Sequence, residues 1–180
     1  MYGNLYLVST PIGNLDDLTY RAVKILNSVD IILAESTERS NKLLSHYGID
    51  TKVISFNKDN EKRKIENAID YLKDSKNIAL ISDAGTPSIS DPGFYLLSNL
   101  HEEVKIIPIP GPSSLTCALS VSRIPVNGFT FLGFLPKKEN DRKNKLLQAS
   151  AAEFPLCLFE SKHRLLNLLE DISSIFGENT

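Results

Sequence analysis

The sequence predicts an α/β fold built on a mostly parallel sheet, with a second α/β domain following the first. Three observations lead there. Short apolar runs of strand type alternate along the chain with segments of helical period. Two of these runs, "DIILAE" and "NIALIS", are apolar almost without interruption, as in strands covered on both faces. Most runs end in clusters of Gly, Pro, Ser or Asp, where strands give way to loops.

The elements follow in order. "NLYLVST" is a first strand, stopped by Pro11 and Gly13. A helix is expected next, with Asp16 or Asp17 near its start. Leu18, Ala22, Ile25, Leu26 and Val29 recur at spacings that share one helical face. "DIILAE" is the second strand, and a helix from about Glu38 to Tyr47 ends at Gly48. "KVISF" is the third strand. The polar stretch "NKDNEKRKIENAIDYLKDS" forms a helix with Ile65, Ala68, Ile69 and Leu72 inward. "NIALIS" is the fourth strand and opens into a loop from Ser82 to Gly93, after which a helix starts at about Gly93. "KIIPI" is the fifth strand, and "PGPSS" turns it into the helix "SLTCALSV".

The first domain is therefore expected over residues 1–114 and the second over 115–180. "RIPVNGF" is hinge-like. "TFLGFLP" is a strand, "KKENDRKNKLLQAS" a basic stretch entering a helix, "PLCLFE" a strand, and "SKHRLLNLLEDISSIFG" an amphipathic helix stopped by Gly177.

Composition excludes several classes. The 180 residues are 42% hydrophobic and 23% charged, a globular balance rather than a disordered one. A formal net charge of −2 argues against a generally basic coat for nucleic acid, though not against a local basic patch. The start lacks a basic n-region, and no apolar run approaches the ~18 residues of a membrane span. A cytoplasmic protein without a membrane partner is expected. Cys117 and Cys157 sit in apolar runs, where a thiol acts as a small hydrophobe. His46, His101 and His163 share no ligand spacing with them, so no metal site is expected.

Parallel sheets collect binding loops beyond the carboxyl ends of their strands. "STPIGN", "AESTERS", "SDAGTPSISDPG", "PGPSS" and "FESKHR" all fall at such ends. No P-loop and no GxGxxG motif is present. Pro11 lacks an N–H where a phosphate would want a donor. The loop from Ser82 to Gly93 carries Asp83 and Asp91 and no Lys or Arg. Such a loop repels polyphosphate and suits a cationic or zwitterionic ligand with hydroxyl groups. Gly85 permits close backbone approach. S-adenosylmethionine, an adenosine with an amino acid and a sulfonium, has that chemistry; plain turn formation is the competing reading.

"LYLVSTPIGNLDDLTYRA", "ALISDAGTPSISDPG", "IPIPGPSS" and "FLGFLP" together resemble the ribosomal RNA small-subunit methyltransferase I (RsmI) family of the tetrapyrrole methylase superfamily. The likeness runs from Asn4 to the end. It implies a two-domain α/β methyltransferase, usually homodimeric, that uses S-adenosylmethionine. The implied reaction is methyl transfer to the ribose 2′-hydroxyl of a cytidine in small-subunit (16S) ribosomal RNA. By motif match, the cofactor wall comprises Pro11, Ile12, Gly13, Ser82, Asp83, Gly85, Thr86, Pro87, Ser113, Ser114, Phe159 and Ser161. The chain departs from the family in two places. Ser36 stands where "AEDTR" has an acid, and the chain stops at "GENT", before the strands expected to complete the second domain.

A ribose hydroxyl needs a proton acceptor as it attacks. Glu35 and Glu160, both at strand ends, are the candidates, with ion pairing or capping as the competing role. RNA phosphate is expected on Lys137, Lys138, Arg142, Lys143 and Lys145, and Lys162 and Arg164 also lie near a strand end. Lys62, Arg63 and Lys64 read as a solvated helix face. Two alternatives stand beside the RNA enzyme. One is a methyltransferase acting on a tetrapyrrole or, like diphthine enzymes, on a protein. The other is a non-catalytic ribosome-binding module.

Overall fold

The computed structural model describes residues 1–177; the closing "ENT" lies outside them. The chain divides into two compact units, Met1–Cys117 and the residues from Ala118 onward.

The first unit is a five-stranded sheet with layers of helix on both faces. Its strands are β1 (Leu5–Val8), β2 (Ile31–Ala34), β3 (Val53–Ser55), β4 (Ile78–Ile81) and β5 (Ile106–Ile109), ordered β3-β2-β4-β1-β5. Every pairing is parallel. Helices α1 (Tyr20–Ser28), α2 (Thr37–His46), α3 (Glu61–Lys73) and α4 (Phe94–Ser98) carry the crossovers, and α5 (Ser114–Val121) follows β5.

The uninterrupted apolar runs explain this layering. In β2, Ile32 and Ala34 point into one core with Ala22 and Leu26 of α1 and Leu43 and Leu44 of α2. Ile31 and Leu33 point into the other core, with Ile65, Ala68 and Leu72 of α3 and Leu96 of α4. Connections β1-to-β2 and β2-to-β3 run one way along the sheet, and β3-to-β4 and β4-to-β5 run the other. Right-handed crossovers then put α1 and α2 on one face and α3 and α4 on the opposite face. The direction reverses between the neighbours β1 and β4, which makes their carboxyl ends the topological switch point.

Local signals set most boundaries. Gly48, at φ 63°, ends α2 as expected: the Ile49 N–H reaches the Leu44 carbonyl at 2.9 Å and the Gly48 N–H reaches Ser45, a Schellman closure. The start of α1 differs from expectation. Asp16 and Asp17 form a single 3-10 turn, and Thr19 is the N-cap, accepting from the Ala22 N–H at 3.1 Å. Leu18 is extended and buried between the two, so the inward anchor precedes the helix instead of riding on it.

The second unit pairs β6 (Thr130–Phe134) with β7 (Leu156–Phe159) in parallel, with α6 (Glu139–Ala149) and α7 (Leu165–Phe176) beside them. Leu132, Leu135 and Leu158 of the strand segments pack with Leu146 of α6 and Leu168 of α7. Cys157 is half-buried, and burial pushes its thiol up. Cys117, by contrast, is exposed on α5. Helix α5 buries none of its residues, although its composition is apolar. Among the described residues no helix is long and apolar enough to cross a membrane, and no cluster of His, Cys, Asp or Glu is arranged to hold a metal.

Candidate active site

Four of the five small-residue loops leave the carboxyl edge of the first sheet; the fifth, "FESKHR", belongs to the second unit. The loops after β1 and β4 are stitched together at the switch point. Thr10 and Gly85 exchange both backbone hydrogen bonds, at 2.9 and 3.0 Å. The Thr10 hydroxyl donates to the Ser82 carbonyl at 3.1 Å, and the Ser9 and Thr86 hydroxyls lie 3.2 Å apart. Ser9, Thr10 and Ser82 are buried, so this polar seam is satisfied internally.

The loop after β5 closes against the same place. A Cβ added to Gly111 would lie 3.0 Å from the Ser9 Cβ. One added to Gly85, at φ 82°, would meet Ile12 Cγ2 at 3.6 Å and the Pro112 carbonyl at 3.9 Å. Ile12, Gly85 and the residue before Ser113 thus converge. Pro11 and Pro87 are buried, Ile12, Thr86 and Ser113 are half-buried, and Gly13 and Ser114 are exposed. The Ser113 carbonyl starts α5 by accepting from the Cys117 N–H at 3.0 Å.

Acidic groups line the adjoining stretch of rim. Glu35 is half-buried at the end of β2. Burial, then the charges of Asp91 and Asp83, raise its carboxyl above the ordinary range, against a hydrogen bond from the Asp83 backbone and the charge of Lys58. Asp91 is raised by burial as well, opposed by a hydrogen bond from Ser82 and by Lys58.

The loop is less purely acidic than its own sequence suggests, because neighbours in space supply cations. Arg39 Nη1 of α2 donates to Asp83 Oδ2 at 2.9 Å, and the Ser36 N–H donates to Oδ1 at 3.0 Å. Lys58 Nζ donates to the Ser90 carbonyl at 2.9 Å, and the Gly93 N–H to Glu61 Oε2 at 3.3 Å. Sequence reasoning missed Arg39, Lys58 and Glu61, since each lies on another element. Ser36, the departure from the family pattern, is the α2 N-cap, its hydroxyl accepting from the Arg39 N–H at 3.4 Å. The loop also stores backbone strain: Ser88 and Ser90 have φ of 68° and 65°, conformations that non-glycine residues hold at a cost.

The donor set fits S-adenosylmethionine in kind. Glu35, Asp83, Asp91 and Glu61 against Arg39 and Lys58 leave this rim formally negative, which suits a ligand whose sulfonium, ammonium and carboxylate sum to one positive charge. Two backbone positions at the centre of the seam offer no donor to a phosphate: Pro11 has no N–H, and the Gly85 N–H is spent on the Thr10 carbonyl.

In the second unit, Phe159 ends β7 and Glu160 follows. Glu160 Oε1 accepts from Arg164 Nη2 and from the Ser161 N–H, both at 2.6 Å. Its Oε2 is buried with no hydrogen-bond partner among the described residues. The expected phosphate cluster separates. Lys137, Lys138 and Lys145 are exposed. Arg142 is not available to phosphate: its side chain is only 6% exposed, and its Nε donates to Asp171 Oδ2 at 2.6 Å. Lys138 is the N-cap before the first turn of α6, whereas Arg142 lies inside the helix and faces the α6–α7 packing. Lys143 pairs with Glu139 and Asp171.

Comparison with known proteins gives a consistent pattern. The family described as "Tetrapyrrole (Corrin/Porphyrin) Methylases" matches residues 4–180. The "Ribosomal RNA small subunit methyltransferase I" of Buchnera aphidicola subsp. Baizongia pistaciae is 49% identical over 97% of this chain and 60% of its own length. The protein of that name from Escherichia coli O157:H7 is 43% identical over 98% of this chain and 62% of its own. This chain therefore spans about three-fifths of the length of these relatives. Among solved structures, uroporphyrin-III-C-methyltransferase from Thermus thermophilus is similar with a TM-score of 0.64 and 18% identity, covering 96% of this chain and 74% of the other; this likeness shows the fold.

Proposed function

We propose that this chain, which belongs to the tetrapyrrole (corrin/porphyrin) methylase family, works as an S-adenosylmethionine-dependent methyltransferase. Its target is the ribose 2′-hydroxyl of a cytidine in small-subunit ribosomal RNA. The RNA substrate rests on the likeness to relatives named as small-subunit ribosomal RNA methyltransferases. The cofactor assignment is supported by one observation: a stitched, carboxylate-lined rim at the β1–β4 switch point.

The cofactor supplies a methyl group already activated on a sulfonium. The residues of this chain have four tasks. Gly85 and Ile12 form the apolar floor that lets a ligand lie against the backbone. Asp83, oriented by Arg39 and the Ser36 N–H, accepts from ribose hydroxyls or from the ammonium. Asp91 adds negative charge beside it. Glu35, its carboxyl raised by burial and by two neighbouring acids, is the better placed of the two candidate bases to receive the ribose proton. Glu160 already holds Arg164 and its own loop and orders the second unit's strand end. Positioning of this kind supplies several kcal/mol of a methyl transfer's barrier reduction.

The test uses small ribosomal subunits lacking the methyl mark, cofactor labelled in its methyl group, and protein shown by calorimetry to bind the cofactor. Label appearing in a ribose of the ribosomal RNA is the expected result. Cofactor binding with no label in the RNA would overturn the RNA assignment. No binding heat at millimolar cofactor would overturn the enzyme and favour the non-catalytic module.

A further inference from the structure

The second unit's sheet has one face filled by its helices. Leu132, Leu135 and Leu158 pack with Leu146 and Leu168 on that side. Phe131, Phe134 and Phe159 form a separate aromatic group. The Phe159 ring lies 4.9 Å from Phe131, edge-on at 72°, and 5.6 Å from Phe134. Phe134 is 51% exposed. Several large apolar side chains of this unit are exposed, but this ring is held at a strand end by two others, and its burial would release about 1.5–3 kcal/mol.

The arrangement depends on a backbone device. Phe131 and Phe134 are three residues apart, so strict strand alternation would send them to opposite faces. The register slips between Phe131 and Gly133: Phe131 lies opposite Cys157, and Phe134 opposite Phe159. Gly133 sits in this irregularity at φ 61°, a conformation that glycine adopts without steric cost. The slip resets the alternation, bringing both rings within reach of Phe159. Bulges of this kind re-aim side chains at strand ends near sites.

The surroundings of the ring are basic. Beyond Phe134 the chain reads Leu-Pro-Lys-Lys, and beyond Phe159 it reads Glu-Ser-Lys-His. The strands are parallel, so both tails leave the same edge. Lys137, Lys138 and Lys162 are exposed, and none forms an ion pair among the described residues. Of the nearby acids, Glu160 is spent on Arg164, with a side chain 3% exposed, and Glu139 on Lys143, while Asp141 is exposed on α6.

We propose that Phe134, buttressed by Phe159 and Phe131, is a stacking platform for an unpaired base of the RNA substrate, with Lys137, Lys138 and Lys162 on the adjoining phosphates. This proposal rests on the RNA reading above and names the residues that would grip the strand. An aromatic face beside mobile cations is the combination that holds single-stranded nucleic acid. The basic edge decides between occupants: it complements a phosphate-bearing strand and opposes the net-positive cofactor, whose adenine would otherwise be a rival for the same face.

The experiment measures binding of a fluorescent ten-nucleotide single-stranded RNA by anisotropy, beside an oligonucleotide of the same length without bases. Phe134→Ala is expected to weaken the first by roughly 5- to 150-fold, the range for loss of one stacked base, and to leave the baseless strand unaffected. Phe134→Tyr should restore most of the affinity, since it keeps the ring, whereas a purely structural role would not separate the two oligonucleotides. Lys137→Glu with Lys138→Glu should weaken both strands and flatten the salt dependence. Equal RNA affinity for Phe134→Ala and wild type, with the lysine variant still impaired, would overturn the platform and leave the RNA reading standing. Failure of wild type to bind either strand would overturn both. A loss of cofactor affinity in Phe134→Ala without loss of RNA affinity would reassign the ring to adenine and overturn the proposal.

Discussion

Arg39 and Asp83 join two neighbouring strand ends through one hydrogen bond of 2.9 Å, with the second carboxylate oxygen held at 3.0 Å by the Ser36 N–H. Asp83 lies in a loop that has no cation of its own, and Arg39 stands four residues beyond Glu35 on α2. The carboxylate proposed to meet the cofactor is therefore oriented from the next strand over.

The latch has a measurable consequence. The Arg39 side chain is 72% exposed, so its worth to folding is of the exposed ion-pair size, about 0.2–1 kcal/mol. Arg39→Ala should leave the melting temperature almost unchanged yet weaken S-adenosylmethionine binding by about 1.4- to 5-fold, the same energy read as affinity. Calorimetry at low and high salt checks this, because screening should shrink the difference. Arg39→Lys should fall between, having charge without the planar fork. Identical cofactor affinity for all three proteins at low salt would remove Arg39 from the site.

Gly93 anchors the other end of the same loop. It has φ 130°, and a Cβ there would come within 2.7 Å of Leu80 Cδ2 and 2.9 Å of Ser88 Oγ. Leu80 is buried in the core, so it yields little, and Ser88 is already at positive φ. Gly93→Ala should cost about 1–3 kcal/mol through strain at an unfavourable backbone position. Urea denaturation checks it. A change under ~0.5 kcal/mol, the usual size for a surface substitution, would show that the loop relaxes freely.

Most of the fold was legible in residue pattern, because each element carried its own signal. The doubly apolar "DIILAE" and "NIALIS" announced covered parallel strands, and Gly48 announced the end of α2. The carboxyl-edge loops followed from strand direction. What was hidden arose from partners distant in sequence or from breaks in period. Arg39, Lys58 and Glu61 reach the acidic loop from other elements, and no spacing rule links them to it. Arg142 looked like one more cation in "KKENDRKNK", but α6 turns it against Asp171, while Lys138 stays exposed at the N-cap. Gly133 read as an ordinary strand glycine, and only the register of β6 on β7 shows that it gathers three phenylalanines. Thr19 carried a capping signal, three residues before Ala22, that the two nearby aspartates obscured.

The two raised carboxyls give a pH prediction with a definite sign. Glu35 and Asp91 hold their protons to higher pH in the folded chain than in the unfolded one. Such groups favour folding fully when pH lies below their unfolded values, and that contribution is lost as pH rises through their folded values. Wherever they are ionised in the folded chain, that ionisation carries a cost. Glu35→Gln and Asp91→Asn should therefore raise the melting temperature at pH 7, and the gain should vanish toward pH 4. Melting curves across that range decide it, and a gain that grew on acidification would contradict the burial argument. The same Glu35→Gln protein should lose methyl transfer while keeping cofactor affinity within a few-fold, if Glu35 receives the ribose proton.

Arg142 and Asp171 supply the last test, and it separates folding from RNA contact. Their side chains are 6% and 7% exposed, joined at 2.6 Å, with Lys143 3.5 Å from the other Asp171 oxygen. Truncating one member of a buried pair strands the other charge, at a cost of about 3–5 kcal/mol, whereas replacing both with apolar groups of similar volume is often neutral or stabilising. Arg142→Ala should lower stability by that amount, and Arg142→Met with Asp171→Leu should recover most of it. Because the guanidinium faces the α6–α7 packing, the recovered double variant should bind single-stranded RNA as wild type does. The exposed Lys137 and Lys138 should show the reverse, with charge reversal weakening RNA affinity at little cost to the melting temperature. A double variant that folds well but has lost its RNA affinity would return Arg142 to the phosphate cluster expected from its place in the sequence.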